Sequence, residues 1–335
     1  MRAVCANAPG VLGMMDIPVP RIEDPFECIV RLDACSICNS TDPKLLENEF
    51  CPGPFPTVLG HESVGTVVEV GPGVRNFREG DRVFRQRLGD EHVPGGRSTW
   101  GGFAEYGVIS DQWAQDDVPY LHCADGYPAH AQQKVMADVA PPLATAMITL
   151  METLDYSTSA GVVPGQSVAV VGSGPVGQAL ALFAKLLGAA PVVAFGRRQE
   201  PGERFARVAH ADAYLWQPDD VEREAERGRF DIVFEAVGSR EALDTCLRLA
   251  GVRGTAWCYG VAPESHAYTE TQKTDPRYRN APVFEGRVQR RLADFIEAGD
   301  IRLEDWISHV LPMADYQRAF DLTARREAFK VALVP

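Results

Sequence analysis

A chain of 335 residues with 45% hydrophobic and 24% charged residues is long enough for two domains with substantial cores. Its formal net charge of −13, uncompensated by any run of Lys and Arg, argues against nucleic acid or anionic membrane as the main partner, and no apolar run nears the roughly 20 residues that span a bilayer. The N-terminus, Met1-Arg2-Ala3-Val4-Cys5, lacks the apolar core and cleavage signal of a secretory leader, so a cytoplasmic location is expected; the eight cysteines read as buried small residues or reactive thiols rather than a disulfide framework.

Residues 1 to about 155 read as a β-rich region broken by Gly and Pro. Residues 27–34 partly alternate and residues 63–70 form a clear strand, with Gly71-Pro72-Gly73 and Glu79-Gly80-Asp81 as turns. A helical pattern covers 138–154 around Pro141-Pro142, and 157–165 reads as a short connection. Residues 167–171 then form an apolar strand, followed by Gly172-Ser173-Gly174-Pro175-Val176-Gly177, which fits G-x-G-x-x-G. Val176, Ala179, Leu180, Phe183 and Leu187 continue at helical spacing, Gly188 closes the helix, and 192–195 form a second strand.

That strand–turn–helix context gives the glycines a physical meaning. The first allows a tight turn, the second lets a pyrophosphate approach the backbone, and the third lets helix and strand pack closely, so that free N–H groups at the helix start face the anion. At the end of the second strand, where an NAD site offers Asp or Glu to the ribose hydroxyls, this chain has Gly196 followed by Arg197 and Arg198. Losing the carboxylate and gaining two guanidiniums makes a place for a 2′-phosphate, so NADP(H) is the expected cofactor.

Strand 231–235, helix 240–249 and strand 254–259 extend the alternation, which implies a doubly wound parallel sheet. Helix 285–298 ends at Gly299. A terminal helix (314–326) and strand (329–334) are expected to return to the first region. The expected division is a β-rich domain over 1–155, completed by about 295–335, and a dinucleotide-binding domain over 156–294.

Two further segments, Ser36-Ile37-Cys38-Asn39-Ser40-Thr41-Asp42 and Val58-Leu59-Gly60-His61-Glu62-Ser63-Val64-Gly65, carry a family resemblance. With Gly80-Asp81-Arg82-Val83, Gly101-Gly102-Phe103-Ala104-Glu105-Tyr106 and the ending Ile307-Ser308-His309 and Lys330-Val331, the chain resembles the zinc-containing medium-chain dehydrogenases over nearly its whole length. The resemblance implies an α/β protein with a GroES-like irregular β catalytic domain and a Rossmann domain. It also implies a small-molecule substrate and a homodimer or homotetramer built through the edge of the middle sheet. By similarity Cys38 and His61 bind a catalytic zinc, Glu62 is a neighbouring carboxylate or a third ligand, Ser40 relays the substrate proton and Thr145 touches the nicotinamide.

The sequence departs from the family pattern in two places. The usual third ligand position falls on Pro141, which has no donor, so either Asp138 or Glu62 takes its place. One extra residue in Cys38-Asn39-Ser40-Thr41-Asp42 leaves a second alignment open, in which Asn39 matches the asparagine of zinc-free reductases and Cys38 is structural. The segment 85–101 has no cysteine, so the family's structural zinc lobe is expected to be absent or metal-free. Arg277-Tyr278-Arg279-Asn280 reads as either a substrate-contacting segment or a polar surface.

The resulting expectation is an NADP(H)-dependent oxidoreductase interconverting a secondary alcohol and a ketone or aldehyde, on a polar substrate such as a sugar, cyclitol or polyol intermediate. The alternatives are a zinc-free quinone or enoyl reductase of the same fold and a non-catalytic NADP(H)-binding protein.

Overall fold

The computed structural model describes residues 1–118, 132–136, 138–263 and 267–335. The chain divides into two compact units, one of Met1–Met151 with Phe284–Pro335 and one of Glu152–Val283.

The first unit begins with strands β1 (Arg2–Ala8), β2 (Val11–Asp16) and β3 (Glu27–Ser36), then helix α1 (Thr41–Leu46). It continues through β4 (Thr57–Val58), β5 (Glu62–Val70), β6 (Arg82–Phe84), β7 (Arg97–Ser98), β8 (Tyr106–Ser110), helix α2 (Gln112–Gln115) and helix α3 (Pro141–Ser159), within which the second unit starts. The second unit alternates β9 (Val168–Val171), α4 (Pro175–Leu186), β10 (Val192–Phe195), α5 (Pro201–Arg207), β11 (Ala213–Leu215), α6 (Pro218–Arg227), β12 (Ile232–Glu235), α7 (Arg240–Ala250) and β13 (Thr255–Cys258). It closes with α8 (Glu270–Lys273) and β14 (Tyr278–Arg279); α9 (Gln289–Glu297), β15 (His309–Pro312), α10 (Tyr316–Ala324) and β16 (Val331–Val334) belong to the first unit.

Two sheets form the first unit among the described residues, in the orders β2-β1-β4-β7 and β15-β16-β3-β5-β6, with β8 also on β3. Register shifts at Ile29/Val30 and Leu32/Ala34 mark bulges where β3 bends along β5. The tail returns to this unit because burial demands it. Phe320 from α10 and Val331 and Leu333 from β16 share one core with Val4, Leu32, Leu59 and Phe103. β16 therefore pairs with the end of β3, Ala332 opposite Ser36, while Ser36 also lies opposite Glu62 of β5. Three strand ends thus converge on one point, and the candidate catalytic residues are there.

The second unit is a parallel sheet in the order β11-β10-β9-β12-β13-β14. β9, β10 and β12 are buried along their whole length, as strands covered on both faces must be. Chain order reverses between β9 and β12, which is where an open α/β sheet leaves room for a ligand beyond its strand ends.

The helix expected to stop near residue 154 runs on to Ser159 as α3. Tyr-Ser-Thr-Ser is a poor helical ending, but Tyr156 is 1% exposed, packs edge-on against Trp257 and donates to the Cys258 carbonyl at 2.7 Å. Tertiary burial outweighs the weak local propensity. No helix among the described residues is long and apolar enough to cross a membrane.

Candidate active site

Cys38 follows β3, and His61 and Glu62 sit at the start of β5. Their sulfur, ring nitrogen and carboxylate oxygen all lie within 4.8 Å of one another. Glycine is required just before this pair. Gly60 has φ +95°, and a Cβ there would lie 2.6 Å from the Phe103 nitrogen. His61 is held on several sides: its Nδ1 lies 3.4 Å from Asp42 Oδ1, its carbonyl accepts from Arg85 Nη1 at 2.7 Å, and the Trp100 ring stands 5.2 Å from its own. Burial alone disfavours a charged imidazole, but the Asp42 carboxylate and the Cys38 sulfur override it and hold the His61 pKa well above the ordinary histidine value. Such surroundings favour positive charge at the ring.

Asp42 is the residue that sequence reasoning missed. It is fully buried in α1, accepts the Cys38 backbone N–H at 2.8 Å through Oδ2 and turns Oδ1 to His61. One carboxylate therefore fixes the backbone of one donor and the ring of the other. With Nδ1 turned to Asp42, Nε2 is the nitrogen left for a ligand, an arrangement common behind metal-binding histidines. The available signal was the Asp four residues after Cys38 at a helix start.

Glu62 is 2% exposed and heavily engaged. Lys330 approaches Oε2 at 2.6 Å and Oε1 at 2.8 Å, Ser36 donates to Oε2 at 2.5 Å, and Thr149 of α3 donates to Oε1 at 3.1 Å. Burial pushes the carboxyl upward, but the Lys330 ammonium and the neighbouring His61 outweigh it and the net shift is downward. Thiolate, imidazole and carboxylate are ligand types zinc favours, and three protein donors leave its fourth position open. The donor set fits that ion, with Glu62 shared between it and Lys330.

The other expected site residues are placed as follows. Ser40 caps α1, and its hydroxyl accepts from Lys44 Nζ at 2.9 Å. Thr145 is fully buried and donates to the Pro142 carbonyl at 2.7 Å within the first turn of α3. Pro141 begins that helix, where its missing N–H costs nothing, and Asp138 is exposed and outside the three-donor group. Asn39 donates to the Phe329 carbonyl at 2.8 Å. Cys35 and Cys38 are both free; burial, with Asp42 and Glu62 nearby, pushes the Cys35 thiol well up, so it stays protonated. Arg277 is taken up by Asp275 and by the carbonyls of Leu247 and Gly251, beside edge strand β14. Of the remaining histidines, His122, His130 and His266 lie outside the described residues.

In the second unit, each glycine of the turn meets a different constraint. Gly172 has φ +131°, and its Cβ would sit 3.0 Å from the Ala236 carbonyl; a Cβ at Gly177 would collide with the Gly172 carbonyl at 2.0 Å. Gly174 has open space around its missing Cβ, and it caps α4 without any side chain on the helix N–H groups. Ser173, Pro175 and Val176 complete the turn. A close-approach surface with unoccupied donors at the start of a twelve-residue helix is what a pyrophosphate requires. Gly196 directly follows β10, and the Arg197 and Arg198 side chains after it are exposed, with no acidic partner among the described residues. Replacing Gly177 by valine is expected to weaken dinucleotide binding more than about tenfold, since the turn must open to admit two branches where one Cβ already collides. Fluorescence titration of the variant with NADPH reads the loss.

Comparison with known proteins agrees with this fold. Residues 24–118 match the alcohol dehydrogenase GroES-like domain family, and residues 175–291 match the zinc-binding dehydrogenase family. The chain belongs to the zinc-containing medium-chain dehydrogenase/reductase superfamily. Members similar to it include D-arabinitol dehydrogenase 1 of Uromyces fabae, 25% identical over 100% of this chain and 97% of the relative. L-threonine 3-dehydrogenase of Bacillus licheniformis is 27% identical over 95% of this chain and 94% of the relative. Among solved structures, alcohol dehydrogenase TADH from Thermus sp. ATN1 superposes with a TM-score of 0.79 at 25% identity, covering 100% of this chain and 99% of that one. As a member of this superfamily the chain is an oxidoreductase of the dehydrogenase type, with the GroES-like and Rossmann folds seen in its two units.

Proposed function

We propose that this protein is an NADP(H)-dependent dehydrogenase that interconverts a polar secondary alcohol and its ketone, with zinc held by Cys38, His61 and Glu62. The observation that carries the proposal is the convergence of those three donors on one point, with Asp42 behind His61. When bound, zinc supplies Lewis-acid polarisation of the alcohol or carbonyl oxygen. The chain's own groups do the rest. Asp42 orients the imidazole and Arg85 anchors the His61 backbone. Ser40 keeps its own hydroxyl proton available for relay while Lys44 occupies a lone pair. Gly172, Ser173, Gly174, Pro175, Val176 and Gly177 cradle the pyrophosphate, and Gly196, Arg197 and Arg198 receive the 2′-phosphate. Thr145 is assigned to the nicotinamide side by the family resemblance, its hydroxyl being committed to Pro142.

A polyol substrate is supported by the D-arabinitol dehydrogenase relative, and L-threonine is the hydroxy-compound suggested by the second relative. Both are polar secondary alcohols. A second reading, a zinc-free reductase, draws on the engagement of Glu62 by Lys330 and on Pro141 at the usual ligand position.

One experiment decides among these readings. Protein purified without chelator is assayed for metal and for NADP⁺-linked oxidation of pentitols, hexitols and L-threonine. About one equivalent of zinc with turnover of a polyol is expected. Less than about a tenth of an equivalent moves the assignment to a zinc-free reductase, and dinucleotide binding without turnover of any substrate moves it to a non-catalytic binder.

A further inference from the structure

The strand next to β10 places a tyrosine in an unexpected position. Tyr214 lies on β11, opposite Ala194 of β10, and its phenol reaches the end of β10. A Cβ built on Gly196 would lie 1.9 Å from the Tyr214 hydroxyl oxygen and 2.8 Å from the ring carbon that bears it. The ring is confined on several sides. It stacks on Phe205 with centroids 5.1 Å apart and planes 21° apart, and Gly202 lies against it closely enough that a Cβ there would be 3.0 Å from the ring. Its hydroxyl donates to the Arg198 carbonyl at 2.7 Å.

Those contacts have two consequences. The phenol ties β11 to the arginine turn through the Arg198 carbonyl, and so fixes a segment that must hold the dinucleotide. It also fills the space in which any side chain at 196 must begin. In NAD-binding Rossmann sites the carboxylate for the ribose hydroxyls is carried at the end of this strand.

We propose that Tyr214 is a cofactor-positioning and specificity-determining residue: where it stands it leaves room only for glycine at 196, thereby disfavours the acidic side chain that NAD recognition uses there, and holds the Arg197-Arg198 turn in place. The specificity part rests on the NADP(H) reading above; the steric coupling of 196 to 214 does not. An open recess of roughly 550 Å³, lined by Gln199, Glu200, Gly202, Glu203, Tyr214 and Trp216, lies beside the ring. It is the space into which the phenol would have to swing to tolerate a side chain at 196, giving up its hydroxyl contact.

The test is a double-mutant cycle on the full chain, read by fluorescence titration with NADPH and NADH and by thermal unfolding. Gly196→Ala alone is expected to weaken dinucleotide binding about tenfold or more, and the same change in a Tyr214→Ala background to cost less than about twofold. Gly196→Asp is expected to gain no NADH affinity by itself, while Gly196→Asp with Tyr214→Ala binds NADH at least about tenfold more tightly than Gly196→Asp alone. If Gly196→Ala does not fold, recovery of a folded protein in the Tyr214→Ala background carries the same conclusion. The proposal is overturned if Gly196→Ala costs the same in both backgrounds, if folding is not rescued, or if Gly196→Asp alone takes up NADH. A wild-type preference for NADH overturns the cofactor reading instead, and the cycle is then scored on NADH.

Discussion

Replacing Cys38 by alanine is expected to lower kcat/KM for the best alcohol by about three orders of magnitude, the loss of several kcal/mol of transition-state stabilisation. The physical ground is that sulfur is the softest donor of the three-residue group and the one that no neighbour replaces. Cys38 lies in the loop between β3 and α1, half-buried, so its truncation leaves the core intact and the unfolding temperature should move little. Asp42→Asn is the companion variant: it keeps the shape but removes the negative charge behind His61, with an expected loss of about 10- to 100-fold in zinc affinity or turnover. Steady-state kinetics together with metal content of the purified variants separate the two effects. Unchanged turnover in Cys38→Ala, with less than stoichiometric metal, would instead assign Cys38 a structural role and support the zinc-free alignment through Asn39.

Replacing Lys330 by methionine is expected to destabilise the protein by about 3–5 kcal/mol, because it strips the cation from a carboxylate with no access to water. Lys330 and Glu62 are each 2% exposed, 2.6 Å apart, and Ser36 and Thr149 satisfy only part of the remaining hydrogen-bonding capacity. Denaturant unfolding in the presence of a chelator measures the loss apart from any metal binding. Adding Glu62→Gln to Lys330→Met should recover most of that stability, since a buried pair replaced on both sides costs far less than one broken on one side. Recovery would show that charge, rather than packing of the lysine stem, is what β16 brings to the site. Equal stability of the single and double variants would assign the cost to packing.

These two experiments bear on residues that differ in how visible they are in the sequence. The glycine turn is contiguous and one of its constraints is local, Gly177 against Gly172, with Gly174 open to solvent; the others are not, since Gly172 meets the Ala236 carbonyl and Gly196 meets Tyr214. Cys38 and Gly60-His61-Glu62 were legible as chemistry through their residue types. Their support was not. Asp42 is four residues from Cys38 but meaningful only because β5 brings His61 to it; Lys330 lies 268 residues from Glu62, and Thr149 lies 87 away. Tyr214 lies in a stretch for which the sequence predicts no element, and only the register of β11 on β10 brings its hydroxyl to Gly196.

By itself, then, the sequence determined the architecture and the glycine turn, because strand and helix periodicity and the spacing of a contiguous motif are local properties, and its family resemblance named Cys38 and His61 as candidate donors. Only the tertiary structure decided what each donor rests against: that Asp42 backs His61, that Lys330 shares Glu62, and that Tyr214 fills the space beside 196. These are contacts made by strand pairing and core packing. They exist only once residues far apart in the chain have been buried against one another.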